Sequence, residues 1–319
     1  MSKGRITVLG SNGHMGNAAM IAFRDAGWQV KGLGRANRRP VPNTEFVAGD
    51  ADMVAVVQAA IADADVVFHG LHLPYDQWGQ GRAERQLQVV LDAMGNSGKT
   101  LLFPGTIYNY RASDRTVAPG LRQSAEKPRG EIRMRLEAML RAAAEAGKIR
   151  VIILRAGDFY GPGNRNDWYD AGMFMNFARG TVYHMGDLKL RHSWAYLPDL
   201  ARAFAVLAEQ RQGFAPFETF HFAGHWVNHG QIMAAIQTAL GRRLKVAPLP
   251  WWMLGAMGLI NPVMRDIYRM RYLWLNEMEL VDPRLDALLG PGFTTPLEDA
   301  VAATVTELVS AKYATAKAA

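Results

Sequence analysis

Short apolar runs alternate with helix-forming segments through the first half of the chain. The runs are rich in β-branched side chains and predict buried strands at Ile6–Leu9, Gln29–Leu33, Phe46–Val47, Val66–His69, Thr100–Phe103 and Val151–Leu154. The segments between them predict helices at 17–26, 54–62, 86–94 and 128–147. Strands that alternate with helices at this spacing predict an α/β fold of the Rossmann type, with a doubly wound parallel sheet.

The second half of the chain has a less regular pattern. It predicts a helix at 197–210, a strand at 219–222, and mostly helical structure from 224 onward, interrupted by prolines. We therefore expect two lobes. Residues 1–157 and 193–223 would form the sheet domain. Residues 158–192 and 224–319 would form a smaller, mostly helical C-terminal lobe.

The composition excludes several chemistries. The chain has 319 residues and no cysteine, so it has no disulfide framework, thiol nucleophile or iron–sulfur cluster. His221, His225 and His229 are spaced by four residues, but Gly224 and the β-branched setting disfavour a helix there. We expect no metal site.

The charge and hydropathy patterns limit the partners. The formal net charge is +7, but the basic residues are spread along the chain without a nucleic-acid motif, so we expect no nucleic-acid partner. The longest apolar stretch, 251–260, is shorter than the ~20 residues of a spanning helix. Residues 6–9 are too few for a signal-peptide core. We therefore expect a cytoplasmic protein without a membrane partner, for which a homodimer is possible.

Three glycines lie between the first predicted strand and the first predicted helix. This arrangement lets a dinucleotide pyrophosphate approach the backbone and the N-terminus of the helix. The contacts would come from Gly10, Asn12, Gly13, His14, Met15 and Gly16. The alternative is a tight turn with incidental glycines.

The end of the second strand indicates which dinucleotide binds. NAD-binding proteins usually have a carboxylate there for the ribose 2′-hydroxyl. This chain has Gly34 and Arg35, with Arg38 and Arg39 close behind. A guanidinium suits a 2′-phosphate, which favours NADP(H) over NAD(H). The alternative is a solvated basic loop. Asp50, at the end of the third strand, could reach the adenine amino group, cap the next helix, or do both.

Six segments resemble motifs of the extended short-chain dehydrogenase/reductase superfamily, which includes NAD(P)-dependent epimerases and dehydratases. They are the glycine turn 10–16, the fourth strand 66–69, the pair 107–108, and the segments 154–163, 194–201 and 295–300. The resemblance runs in order along nearly the whole chain. It implies a Rossmann-type fold and a nicotinamide cofactor, with His69 and Gly70 among the residues that contact it.

The catalytic motifs of this superfamily are incomplete here. Pro104 occupies the position of the catalytic Ser or Thr, four residues before Tyr108. When Glu137 is aligned with the family's Glu, Arg129 and Arg133 occupy the Tyr and Lys positions of Tyr-x-x-x-Lys. Arginine cannot give up a proton near neutral pH. Arg133 could still hydrogen-bond the nicotinamide ribose, or be a solvated helix charge.

A proton donor must therefore come from elsewhere at the carboxyl ends of the strands. Tyr108 is the leading candidate, although a packing role is the alternative. Thr106 could hydrogen-bond a substrate oxygen. Substrate contacts are expected from aromatic residues near these strand ends, namely His72, Tyr75, Trp78, Tyr160 and Trp194. The apolar segment 250–259 predicts a core or subunit contact, or else a lid.

These patterns predict an NADP(H)-dependent oxidoreductase or epimerase-like enzyme acting on a small molecule. A hydride would pass between the nicotinamide and a carbonyl or carbinol carbon. The first lobe would bind NADP(H) and the second lobe the substrate. Arg133, Thr106 and Tyr108 would replace the usual catalytic residues. The alternative, motivated by the loss of Ser, Tyr and Lys together, is a redox-silent NADP(H)-binding sensor or scaffold.

Overall fold

The computed structural model describes residues 3–74, 77–163 and 168–316. The strands are β1 (Arg5–Leu9), β2 (Gln29–Gly34), β3 (Glu45–Ala48), β4 (Val66–His69), β5 (Thr100–Thr106), β6 (Thr116–Val117), β7 (Arg150–Ala156), β8 (Asp158–Tyr160), β9 (Thr181–His184), β10 (Arg191–Tyr196), β11 (Phe217–His221), β12 (His225–Asn228), β13 (Lys245–Pro248) and β14 (Glu279–Leu280). The α-helices are α1 (His14–Asp25), α2 (Val54–Ala60), α3 (Arg82–Met94), α4 (Pro128–Glu145), α5 (Leu197–Glu209), α6 (His229–Leu240), α7 (Trp251–Met257), α8 (Pro262–Met270), α9 (Pro283–Leu289) and α10 (Leu297–Ala316).

Seven parallel strands form the central sheet in the order β11-β7-β5-β4-β1-β2-β3. The order reverses direction at β1, so the predicted doubly wound Rossmann-type sheet is confirmed. Leu9 pairs with both Leu33 and His69, which brings the carboxyl ends of β1, β2 and β4 to one edge. β5 is longer than predicted because its pairing with β7 continues to Thr106.

Helices cover both faces of this sheet. On one face, α1 and α5 pack around Phe23, Phe68 and Phe204. On the other face, α2, α3 and α4 pack around Leu87, Leu101 and their neighbours. Because both faces are covered, most central residues of these strands are apolar, and the carboxyl ends of the strands offer the edge for a ligand.

A second core lies beyond that edge. Buried side chains of α6, α8 and α10 contribute to it. It also contains the large aromatic residues Trp194, Trp274, Tyr160 and Tyr169. Small sheets join β12, β10 and β8, and pair β13 with β9 and β14 with β6. These short strands were not expected in a mostly helical lobe. Within the described ranges, no helix is both long and apolar enough to cross a membrane.

Candidate active site

The turn between β1 and α1 is packed backbone against backbone. A Cβ atom on Gly16 would lie 2.3 Å from the carbonyl oxygen of Gly10, and one on Gly10 would lie 2.6 Å from that of Gly70. Gly10 also has a φ of +75°. Helix α1 begins at His14 and directs its unbonded first-turn amides toward this turn. The close approach and the helix N-terminus fit a dinucleotide pyrophosphate.

Asn12 braces the loop that carries Arg35. Its Nδ2 donates to the carbonyl oxygen of Ala36 at 2.7 Å, and its Oδ1 accepts from the amide of Arg38 at 2.9 Å. Arg35 and Arg38 are exposed and directly follow β2. Gly34, at the end of that strand, leaves room for the Asn12 amide, since a Cβ there would lie 2.7 Å from Nδ2. Asn12 therefore has a positioning role as well as a place in the glycine turn.

Other residues assigned to the cofactor have different partners. The His14 ring Nε2 lies 2.9 Å from the carbonyl oxygen of Pro162, and Arg39 lies against Gly163, so both contact the turn that follows β8. Met15 is buried in the core beside the sheet. Asp50 accepts a hydrogen bond from the Asp52 amide at 3.0 Å. The N-cap of α2 is Met53, so the Asp50 side chain does not cap that helix.

Arg133 reaches the carboxyl ends of β4 and β5. Its Nη1 donates to the carbonyl oxygen of Pro104 at 3.4 Å. Its guanidinium carbon lies 5.0 Å from the ring centroid of Trp78 and 5.5 Å from that of Phe103. The His69 ring packs against Phe103 at 5.1 Å. Three residues predicted for the site, His69, Trp78 and Arg133, are thus brought together although the first and the last are 64 positions apart in the sequence.

The His69 side chain is neutral in this setting. Burial, followed by the charge of Arg133, lowers the pKa of His69 to about 4. Its Nε2 is buried and has no hydrogen-bond partner among the described residues. The positive charge beside this neutral imidazole is therefore that of the Arg133 guanidinium.

Arg129, which the motif aligns with the family's tyrosine, connects the two cores. It is 5% exposed, and its Nη2 donates to Oδ2 of Asp266 on α8 at 2.9 Å. Its guanidinium carbon lies 5.4 Å from the Trp78 ring centroid. The sequence alone does not indicate a role for Asp266, because its partner lies 137 positions away and no local motif includes it.

Thr106 is the last residue of β5 and Tyr108 lies two positions further on, but the two side chains differ in environment. Thr106 is half-buried, and its Oγ1 has no hydrogen-bond partner among the described residues. Tyr108 lies in a 3-10 turn, is 8% exposed, and belongs to the aromatic core of the second lobe. A Cβ on Gly130 would lie 2.0 Å from the Tyr108 carbonyl oxygen, so this turn sits directly on the start of α4.

A buried polar network supports this turn from behind. Nη2 of Arg155 donates to Glu137 at 2.8 Å, and Nη1 donates to the Thr106 carbonyl oxygen at 2.6 Å. Glu137 also accepts from Asn109 at 2.9 Å and from Gln123 at 2.6 Å. Burial by itself would raise the pKa of Glu137, but the Arg155 charge and these hydrogen bonds outweigh it and lower the pKa. Glu137 is therefore ionised and fully bonded.

The residues assigned to the substrate are divided by the fold. His72 packs on Trp78, with ring centroids 5.7 Å apart, close to Arg133. Tyr75 lies outside the described residues. Tyr160 and Trp194 are 1% and 0% exposed inside the second core, and the Tyr160 hydroxyl is 2.8 Å from Nδ1 of His225. Their geometry is that of packing residues.

The Tyr-x-x-x-Lys spacing is missing from α4 but occurs at Tyr313 and Lys317. Lys317 lies outside the described residues, and the spacing falls in the C-terminal tail. It therefore does not restore the motif to the helix that carries Arg129 and Arg133.

Comparison with known proteins identifies the class. The chain belongs to the NAD dependent epimerase/dehydratase family, whose model matches residues 6–222. This confirms the resemblance predicted from the motifs, and it makes the chain an NAD(P)-dependent, epimerase-like enzyme. A search of curated proteins gave no match.

Solved structures share the fold at low sequence identity. The Bordetella bronchiseptica enzyme WbmH, in complex with NAD+, has 20% identity and a TM-score of 0.72, with 96% of this chain and 98% of that chain covered. MoeE5 in complex with UDP-glucose and NAD has 19% identity and a TM-score of 0.76, with 97% and 100% covered. UDP-glucuronic acid 4-epimerase from Bacillus cereus, with UDP-glucuronic acid and NAD, has 17% identity and a TM-score of 0.74, with 96% and 99% covered.

Proposed function

We propose that this enzyme uses NADP(H) to move a hydride to or from a carbonyl or carbinol carbon of a small molecule. The observation that supports it most is the placement of Arg133 at the ends of β4 and β5, beside His69 and Trp78. The superfamily motif has its lysine at the position that Arg133 occupies here. A cation there can bond the cofactor's nicotinamide ribose, which is half of that lysine's task.

The chain's own residues would bind NADP(H) along the carboxyl edge of the sheet. The backbone of Gly10, Gly13 and Gly16 would hold the pyrophosphate, and Arg35 would hold the 2′-phosphate. Arg133 would orient the nicotinamide end. The bound cofactor supplies or accepts the hydride, and the protein places the substrate carbon against it.

The proton that carbonyl reduction consumes must come from a group near the substrate oxygen. We assign it to Tyr108, the phenol in the turn that follows β5. Thr106 would donate a hydrogen bond from its Oγ1, since a buried hydroxyl without a partner has a bond left to make. The Arg133 charge would stabilise negative charge that develops on that oxygen.

Removal of the two hydroxyl groups tests this assignment. We expect Tyr108→Phe to lower kcat about 100-fold or more, as loss of a general acid does. Thr106→Val should lower it about tenfold, because one hydrogen bond to the substrate oxygen is lost. Tyr183→Phe is the matched control, since its hydroxyl bonds Asn176 in the second lobe. Unchanged turnover in Tyr108→Phe would show that the proton comes from another group.

The cofactor preference depends on Arg35. We expect Arg35→Ala to raise the Kd for NADPH about tenfold, or ~1.4 kcal/mol, and to leave the Kd for NADH unchanged. Fluorescence titration measures both constants. Arg141→Ala, which removes an exposed arginine on α4, is the control. Tighter binding of NADH than NADPH by the unmodified protein, or an equal effect of Arg35→Ala on both, contradicts the assignment.

One observation favours a second candidate, a redox-silent NADP(H)-binding sensor or scaffold. Arg129 occupies the position of the catalytic tyrosine and is held there by Asp266. A panel of ketones, aldehydes and nucleoside diphosphate sugars separates the two functions. Steady NADPH consumption with any of them supports the enzyme, whereas binding of NADPH without turnover across the panel supports the sensor.

A further inference from the structure

Exposed apolar side chains are concentrated where α7 turns into α8. Trp252, Leu259 and Ile260 are 78%, 79% and 88% exposed, and Met257 is 41% exposed. We call these four residues the apolar tip. Side chains this exposed stand out from the surface, so the tip is not a groove that another helix could fill. Exposed apolar side chains grouped within so short a segment are typical of an interaction site.

The tip is rigidly built. Arg265 on α8 donates to the carbonyl oxygens of Gly258 at 2.8 Å and Leu259 at 3.1 Å, which closes the end of α7. Asn261 caps α8 by accepting from the amides of Val263 and Met264. The turn is therefore held in one shape with Leu259 and Ile260 outward.

The two neighbouring tryptophans have opposite environments. Trp251 donates from its Nε1 to the carbonyl oxygen of Met185 at 2.8 Å and stacks on Trp274 at 5.7 Å, which anchors α7 to the second core. Trp252 faces solvent. An exposed tryptophan on an anchored helix is typical of residues that sit at a membrane–water interface.

The surrounding sequence is strongly basic. Residues 242–276 contain six cations, Arg242, Arg243, Lys245, Arg265, Arg269 and Arg271, and one acid, Asp266. Their balance is 6 − 1 = +5, out of +7 for the whole chain. Asp266 lies within ion-pair distance of both Arg129 and Arg269. The sequence on both sides of the apolar tip is therefore net positive, and Arg265 lies at the turn of the tip itself.

We propose that the apolar tip docks this protein on an anionic lipid bilayer, with Trp252, Leu259 and Ile260 in the interfacial region and the cations against the headgroups. Apolar burial combined with attraction to anionic lipid is what holds interfacial helices on membranes. A second copy is a poorer occupant, because two such tips would bring like charges together. The proposal departs from the expectation of no membrane partner.

Co-sedimentation of the full chain with vesicles tests the proposal. We expect binding to vesicles of equal parts phosphatidylcholine and phosphatidylglycerol, and at least tenfold weaker binding to phosphatidylcholine alone. The double variant Leu259→Gln with Ile260→Gln should bind the anionic vesicles at least tenfold more weakly. Both side chains are exposed, so NADPH affinity and thermal unfolding should be unchanged in that variant.

The matched control replaces two exposed methionines elsewhere, Met53→Gln with Met175→Gln, which are 57% and 46% exposed. It should bind vesicles as the unmodified protein does. Three results would overturn the proposal: no binding to anionic vesicles, an equal loss in the control, or a tip-dependent dimer without vesicle binding. The last result would assign the tip to contact between copies of the chain.

Discussion

Glu137→Ala is expected to lower the free energy of unfolding by about 3–5 kcal/mol, because it leaves the Arg155 guanidinium buried without its carboxylate. Arg155 is 0% exposed, and the pair is separated by 2.8 Å. Asn109 and Gln123 each lose the hydrogen bond that they donate to Glu137. Because the pKa of Glu137 is lowered in the folded protein, the stabilisation is present at pH 7 and lost as the pH falls through that lowered value.

Urea unfolding at pH 7 measures the effect. Glu145→Ala on the same helix is the matched control, because its pairing with Arg141 is at 4.0 Å and exposed to solvent, and such pairs contribute less than about 1 kcal/mol. The double variant Glu137→Leu with Arg155→Met removes both charges and should be less destabilised than Glu137→Ala. If Glu137→Ala unfolds at the same urea concentration as Glu145→Ala, the network does not stabilise the fold.

Gly16→Ala is expected to abolish measurable dinucleotide binding or to raise the Kd for NADPH at least about 100-fold, or ~2.7 kcal/mol. The new Cβ would lie 2.3 Å from the Gly10 carbonyl oxygen and 3.3 Å from the Ser11 Cα. The first is a backbone atom of the turn itself, so relief of the clash requires the glycine turn to move away from α1.

Fluorescence titration with NADPH gives the affinity, and circular dichroism shows whether the fold is kept. Gly213→Ala is the control, since no atom lies within 4 Å of a Cβ there and its φ is not in the left-handed region. It should bind NADPH normally. Normal binding by Gly16→Ala would show that the turn between β1 and α1 does not hold the cofactor.

The local features of the site were predictable from the sequence. A few neighbouring residues are enough to recognise each of them. These features are the alternation of the strands, the glycines at 10, 13 and 16, and Arg35 just after β2. The superfamily motif placed Arg133 at the lysine position, and the structure brings it to the edge where β4 and β5 end. Because parallel strands end at one edge, residues after them converge without further information.

Contacts between distant segments were not predictable. Asp266 pairs with Arg129 from 137 positions away, and Arg155 donates to the carbonyl oxygen of Thr106 from 49 positions away. Tyr160 and Trp194 are of residue types that often contact substrates, but they are buried in the second core. The sequence around an aromatic residue is similar whether its side chain lines a pocket or lies in a core. Its burial is therefore known only when its packing partners are known.

The sequence by itself determined the class of fold, the glycine turn between β1 and α1 and the departure of α4 from Tyr-x-x-x-Lys, since each follows from local spacing and residue type. Tertiary structure alone decided which charges are paired, that the Thr106 hydroxyl is left without a partner among the described residues, and which apolar segment faces solvent. The segment 251–260 shows the difference. Its sequence is apolar throughout, and only the stacking of Trp251 on Trp274 and the closure of the turn by Arg265 determine which side chains point inward.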